Sequence, residues 1–298
     1  MPDTSLDIFI PYWGDPGYMK LAVDSILGQT NPRWRLTVVD DAYPDSTIAD
    51  YVSSLDDSRI TFIKKKQNEG ITASFRTSLR RAEQDLVCFV GCDDYLLPDY
   101  VETILQAHRE FPEADIIQPG VTVIDADGKP SKTLVDRVKQ RLLRPRSSAP
   151  LLLSGEKLAT SLLHGDWLYW PSLTFKTSSV RDFDFRNEFP IIQDLALVID
   201  MIVEGHSLLV VPEKCFAYRR HSDSASSVLI MSGSRFQGER DYFALAAELT
   251  RAKGWRRAEL AARLRLTSRA HALSLVPVLL KTGDAGAFRT MVRHGLGA

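Results

Sequence analysis

LVCFVGCDDYLLPD (Leu86–Asp99) joins an unbroken apolar run to two adjacent aspartates and then to a proline. The run Leu86–Val90 is as long as a strand and does not alternate with polar residues. That pattern belongs to a strand covered on both faces, as in a parallel sheet flanked by helices. Adjacent carboxylates repel each other and add nothing to a buried strand end, so Asp93 and Asp94 need a reason of their own. Acids ahead of LLPD also fit a helix cap, and taken alone the pair carries either reading.

Three more runs of the same kind precede it: Leu6–Ile10, Leu36–Asp40 and Arg59–Ile63. Helical faces lie between them. Tyr18, Leu21, Ala22, Ser25 and Ile26 share one, Ile48, Tyr51, Val52 and Leu55 another, and a third helix is predicted over 72–83. Asp45 and Ser46 are capping candidates for the second. Strand and helix alternating at this spacing predict an α/β fold with a doubly wound, mostly parallel sheet. Ligands of such sheets bind beyond the carboxyl ends of the strands. Asp40–Asp41 and Asp93–Asp94 both fall there, which is the first functional clue.

Beyond Pro98 the pattern is less regular. It predicts a helix over 100–110, strands over 115–118 and 121–125, and a basic loop-like excursion over 136–150. A helix over 156–163 leads to the aromatic cluster GDWLYWPSLTF (Gly165–Phe175). Another helix over 193–204 and strands over 208–211 and 215–218 follow, and everything from about 235 onward reads as helical. The expected organisation is a catalytic domain over 1–232, with a nucleotide-binding half (1–99) and an acceptor-side half (100–232). A helical basic extension over 233–298 follows it.

The chain has 298 residues, a 44% apolar fraction and a formal charge of −1, an ordinary soluble composition with no global attraction for nucleic acid. The charge is uneven. From Arg251 onward ten Arg and Lys stand against two acids, about +8, leaving the rest near −9. A basic tail of this kind points to a membrane surface, an anionic partner or self-association, and equally to solvated helix faces. Cys88, Cys92 and Cys215 lack metal-type spacing and read as reduced thiols. MPDTSLDIFI has no signal-peptide character, and Ala272–Leu280 is too short to span a bilayer. The expected location is cytoplasmic, with peripheral contact at the inner face of the membrane as a variant.

No G-x-G-x-x-G follows the first strand and no G-x-x-x-x-G-K-[ST] occurs, which disfavours dinucleotide dehydrogenases and P-loop NTPases. A diphosphate without a glycine-rich cradle needs another counter-charge, and a hard divalent cation held by carboxylates is the usual one. TVVDDAYPDST (Thr37–Thr47) supplies a second acid pair, and PYW (Pro11–Trp13) ends the first strand with aromatic rings. Rings stack on nucleobases and carboxylates accept from base N–H groups.

In its order of motifs the chain resembles the inverting family-two glycosyltransferases with the GT-A fold. The resemblance spans roughly residues 6–227 and rests on FIPYWGDPGYMKLAVDSILGQT, LTVVDDAYPDST, NEGITASF, VGCDDYLLPDY, FPIIQDLALVIDMIVEG and YRRHSDSAS. It implies transfer of a sugar from a nucleotide-sugar to a saccharide, lipid-linked or small-molecule acceptor, assisted by Mn²⁺ or Mg²⁺. It implies base recognition by Asp41 and stacking by Trp13 or Tyr12, with Pro11 and Asn68 beside them. It also implies Asp94 as metal ligand, Asp93 near the ribose or sugar, His221 on the metal or diphosphate, and Asp194 as catalytic base.

The chain departs from that pattern in places. Gln193 stands where the family has Glu before the base. Arg76 follows Phe75 where an Arg-Asn pair is common, so Arg76 is the candidate for the positive charge on the donor. Arg219 and Arg220 are further phosphate-binding candidates, with pairing to an acid as the alternative. Trp167 and Trp170 are candidates for an acceptor or sugar wall, against core packing. A sugar nucleotidyltransferase and a non-catalytic nucleotide-sugar-binding protein remain as rivals, and a homodimer through the C-terminal helices remains open.

Overall fold

The computed structural model describes residues 4–131, 136, 138–145, 147–221, 234–282 and 285–297. The first hundred residues alternate strand and helix: β1 (Leu6–Tyr12), α1 (Pro16–Leu27), β2 (Trp34–Asp40), α2 (Thr47–Ser54), β3 (Ile60–Lys64), α3 (Ile71–Arg81) and β4 (Leu86–Phe89). β5 (Tyr95–Leu96), α4 (Tyr100–Glu110), β6 (Ile116–Ile124), β7 (Leu151–Leu153), α5 (Gly155–His164) and β8 (Thr174–Lys176) follow. Then come α6 (Thr177–Val180), α7 (Gln193–Val203), β9 (Leu208–Arg219) and four helices: α8 (Ser234–Ala252), α9 (Arg256–Leu264), α10 (Leu266–Thr282) and α11 (Ala285–Leu296).

The strands form one sheet in the order β3-β2-β1-β4-β8-β6-β9-β5, with β7 paired to β9. β3, β2, β1 and β4 are mutually parallel. Beyond β4 the sheet is mixed, because β8 runs antiparallel to both β4 and β6, and β5 and β7 run antiparallel to β9. The expectation of a mostly parallel sheet therefore holds for its first half only. Strands expected as two pieces are continuous: β6 covers 116–124 and β9 covers 208–219. Their pairing shifts register around Gly120, where a Cβ would stand 2.7 Å from the Pro212 carbonyl oxygen. Only glycine permits that approach, so the bulge has a steric origin.

β1 shows why the apolar runs do not alternate. Phe9 joins Phe89 and Val87 in the core on one face, and Ile8 and Ile10 join Val38 and Cys88 on the other. Both faces are covered, so every residue of β1 is buried. Each such Leu, Ile or Phe contributes about 1.5–3 kcal/mol relative to exposure. α1 then starts at once after the strand, because the Asp15 carboxylate accepts from the Gly17 and Tyr18 N–H groups at 2.7 and 3.0 Å, with Pro16 behind it. The C-terminal helices carry a small core of their own around Phe236, Ala272 and Met291, while Tyr242 and Ala246 of α8 belong to the main core. The expected boundary at 232 falls outside the described residues.

Candidate active site

The parallel strands β1, β2 and β4 end side by side, and a cleft of about 850 Å³ opens above those ends. Pro11, Tyr12 and Trp13 come from β1, Asp41 from β2, and Gly91, Cys92 and Asp93 from β4. Asn68, Gly70, Ser74 and Phe75 line it from the β3–α3 turn and α3, Trp170 from the aromatic cluster, and His221 from the end of β9.

Trp13 is 50% exposed and meets Tyr43 edge-on, with ring centroids 5.5 Å apart. Tyr12 is buried beneath, tilted against Tyr43. An exposed indole on a buried aromatic base is a rigid stacking surface. Next to it, Asp41 is buried and fully engaged on one side. Its Oδ1 lies 3.1 Å from Lys65 Nζ and accepts from the Glu69 N–H at 3.0 Å, and Oδ2 accepts from the Gly70 N–H at 2.7 Å. A carboxylate oxygen carries two lone pairs, so Oδ2 retains one acceptor position. Ala42 follows with φ 63°, a left-handed conformation that a non-glycine residue adopts at a cost of about 1–2 kcal/mol. The Tyr43 N–H donates to Asp40 Oδ1 at 2.6 Å and helps hold that turn.

At the end of β4 the acid pair divides. Asp94 is buried and its Oδ1 accepts from the Arg219 N–H at 2.8 Å, while its buried Oδ2 has no hydrogen-bond partner. Burial first, and the Asp93 charge second, push its carboxyl well above the usual carboxylate range. Asp93 turns toward the cleft and meets His221, Oδ2 to Nε2 at 2.9 Å. A Cβ on Gly91 would stand 2.7 Å from Asp94 Oδ2 and 2.9 Å from Asp93 Oδ1. The missing side chain therefore leaves both carboxylates facing one open position. Leu96–Pro98, expected to start the next helix, does not do so. Tyr95–Leu96 pairs with β9, and α4 begins at Tyr100.

Neither of the two arginines after Tyr218 is among the cleft-lining residues. Arg219 Nε donates to the Asp93 carbonyl at 2.8 Å, its Nη1 donates to the Ala126 carbonyl at 2.8 Å, and the guanidinium lies 4.4 Å from the Tyr18 ring centroid. Arg220 forms a bidentate pair with buried Asp136, at 2.7 and 2.8 Å. Among the described residues that line the cleft there are three aspartates, Asp15, Asp41 and Asp93, and no Lys or Arg. Such a surface attracts a nucleoside diphosphate only together with a cation. The donor set fits a hard divalent ion, which takes one or two carboxylates plus substrate phosphates. Among the described residues no three His, Cys, Asp or Glu side chains gather as a complete ligand set.

Other sequence candidates lie elsewhere. Trp167 is fully buried, donates Nε1–H to Ser161 Oγ at 3.1 Å and packs in the main core, so it is no cleft wall. Trp170 does line the cleft, stacked on Phe89 with an interplanar angle of 2°. Arg76 is turned away from the cleft. It donates from Nε to Asp184 Oδ1 at 2.7 Å, from Nη1 to Asn187 Oδ1 at 2.6 Å, and from Nη2 to the Phe185 carbonyl. It borders a separate cavity of about 440 Å³ beside Asp184, Arg186 and Asp200. Asp194 sits partly exposed in the first turn of α7, its Oδ1 2.8 Å from the Leu195 N–H, and is not among the cleft-lining residues. Residues 222–226 of the YRRHSDSAS motif lie outside the described residues.

Two residues of the site carried no sequence signal. Tyr18 reads as an ordinary helix-face residue, yet it borders the cleft 5.4 Å from the His221 ring. Lys65 reads as one of three consecutive lysines, yet it alone is buried against Asp41 and Ser74, 2.9 Å from the Ser74 hydroxyl.

Residues 7–153 match the model of glycosyl transferase family 2. The glycosyltransferase GlyA of Streptococcus pneumoniae is 32% identical over 116 residues, covering 38% of this chain and 16% of that protein. The chain spans between 16% and 30% of the length of the first curated relatives it matches. Among solved structures, Staphylococcus aureus TarS 1-349 superposes with a TM-score of 0.67 at 14% identity, over 98% of this chain and 81% of that one. The same protein in complex with UDP-GlcNAc gives 0.63 at 15% identity, over 98% and 91%. The fold is the GT-A fold.

Proposed function

Through residues 7–153 the chain belongs to glycosyl transferase family 2, and we propose that it transfers a sugar from a nucleoside-diphosphate donor to an acceptor hydroxyl with inversion. The observation that carries this reading is the cleft at the ends of β1, β2 and β4, with an exposed indole beside a buried carboxylate and no Lys or Arg among the described residues of its walls. Trp13 stacks on the base. Asp41, oriented by Lys65 and two backbone N–H groups, offers its remaining Oδ2 position to a base N–H. A neighbouring fold that binds UDP-GlcNAc in TarS favours a uridine donor. Trp170 and Phe75 border the sugar end of the cleft.

Asp94 and Asp93, at the opening left by Gly91, would hold Mg²⁺ or Mn²⁺ together with the donor phosphates, with His221 hydrogen-bonded to Asp93 beside them. Such an ion supplies positive charge against the departing diphosphate. Asp194 takes the proton of the acceptor hydroxyl as its oxygen bonds to the anomeric carbon and the bond to the diphosphate oxygen breaks. Asp194 stands in the first turn of α7. The buried amide Gln193, in place of a second acid, leaves Asp194 without a like charge next to it in sequence.

The test is donor turnover with UDP-, GDP- and dTDP-sugars, with and without Mn²⁺, in the wild type and in Asp194→Asn. Turnover of one nucleotide class, lost in Asp194→Asn while donor binding persists, is expected. Near-wild-type transfer by Asp194→Asn would remove that residue as the base, and no turnover with any donor would remove the reading as a whole.

A further inference from the structure

None of the described residues of the basic C-terminal helices lines the cleft, and α9 shows what these helices are suited to. Arg256, Arg257, Leu260, Arg263 and Leu264 are exposed on it, and Ala258, Ala261 and Ala262 are buried. At 100° per residue the five exposed residues fall within an arc of about 120°, facing away from the three alanines. Leu260 is 55% exposed and Leu264 37%, and Leu266 just beyond is 52% exposed. The helix is fixed in this orientation, since the Arg257 N–H donates to Glu156 Oε1 of α5 at 2.7 Å. Over 251–264 five cationic side chains stand against one acid, Glu259, which Arg251 and Arg263 share at 2.8 Å each.

We propose that the exposed face of α9 docks on a membrane surface of anionic phospholipids, its leucines entering the acyl boundary and its arginines meeting the headgroups. Interleaved leucines and arginines on one face are what a helix lying in the interface plane requires. A second copy of the chain is a poor occupant, because a two-fold contact through this face would bring two sets of arginines together. The inference is independent of the transferase reading.

The test is co-sedimentation of the intact protein with phosphatidylcholine vesicles, with and without phosphatidylglycerol. It is run at about 0.1 M and about 1 M salt, where the screening length falls from about 10 to about 3 Å. Binding is expected only to the anionic vesicles and is lost at high salt, a result that needs no variant. The triple substitution R256Q/R257Q/R263Q and the pair L260S/L264S are each expected to lower partitioning by about tenfold or more, with an unchanged melting temperature. Equal binding to both vesicle types, no binding to either, or vesicle binding insensitive to both variants would overturn the proposal. So would a dimer in lipid-free solution that L260S/L264S dissociates.

Discussion

Asp93 and His221 meet with Oδ2 2.9 Å from Nε2, although 128 residues separate them in the chain. The contact ties the turn after β4 to the end of β9, so one wall of the cleft depends on both halves of the fold. A hydrogen bond to a charged group is worth about 1.5–3 kcal/mol. His221→Ala is therefore expected to raise the donor KM by roughly tenfold or more. An unchanged donor KM would separate His221 from the donor site.

Arg76 acts on a different part of the molecule. Its three donors hold Asp184, the Phe185 carbonyl and Asn187, in the segment that leads to Asp194. Its neighbour Phe75 both lines the cleft and stacks on Phe185, ring centroids 5.1 Å apart. Arg76→Ala is expected to lower kcat by about tenfold or more while the donor KM stays within about twofold, as for a residue that positions others. A rise in donor KM with kcat unchanged would return Arg76 to the donor.

Trp167 and Trp170 are three residues apart and have separate fates. Trp167→Ala removes a fully buried indole and is expected to destabilise the fold by about 3–5 kcal/mol in chemical denaturation. Trp170→Ala exposes the Phe89 face of the cleft and is expected to reduce kcat/KM more than stability. The reverse ranking would exchange their roles.

His294 is buried between α8 and α10, with Nε2 2.7 Å from Ser268 Oγ. Burial lowers its pKa to about 4; the Arg265, Arg240 and Arg269 charges act in the same direction and Glu239 opposes them. The folded protein thus keeps His294 neutral where the unfolded chain binds a proton. Stability from this group is full above its unfolded value of about 6.5 and is lost as pH falls from there toward 4. Melting temperatures between pH 7.5 and 4.5 are expected to fall less steeply in His294→Gln than in the wild type. Parallel slopes would remove His294 as a contributor.

The first half of the fold was legible because each parallel strand is covered on both faces and leaves a continuous apolar run. The second half was less so. β6 and β9 look like two strands each, since Pro119–Gly120 and Pro212 interrupt their apolar runs at the bulge that joins them. β8, which turns the sheet from parallel to mixed, is three residues long and leaves no periodicity. In the site, strand-end residues such as Trp13, Asp41 and Asp93 could be located by counting to the end of a run. The direction of Arg76 and the burial of Trp167 could not. Their partners, Asp184, Asn187 and Ser161, are set by packing, and a residue type does not say which way its side chain turns.

The most direct test of the central claim is a calorimetric titration of UDP into the protein with Mn²⁺ and again with a chelator, in the wild type and in Asp94→Asn. The account predicts binding by the wild type that weakens about tenfold or more on chelation, and an Asp94→Asn protein that binds equally weakly in both conditions. Equal affinity of the wild type with and without the metal would contradict it.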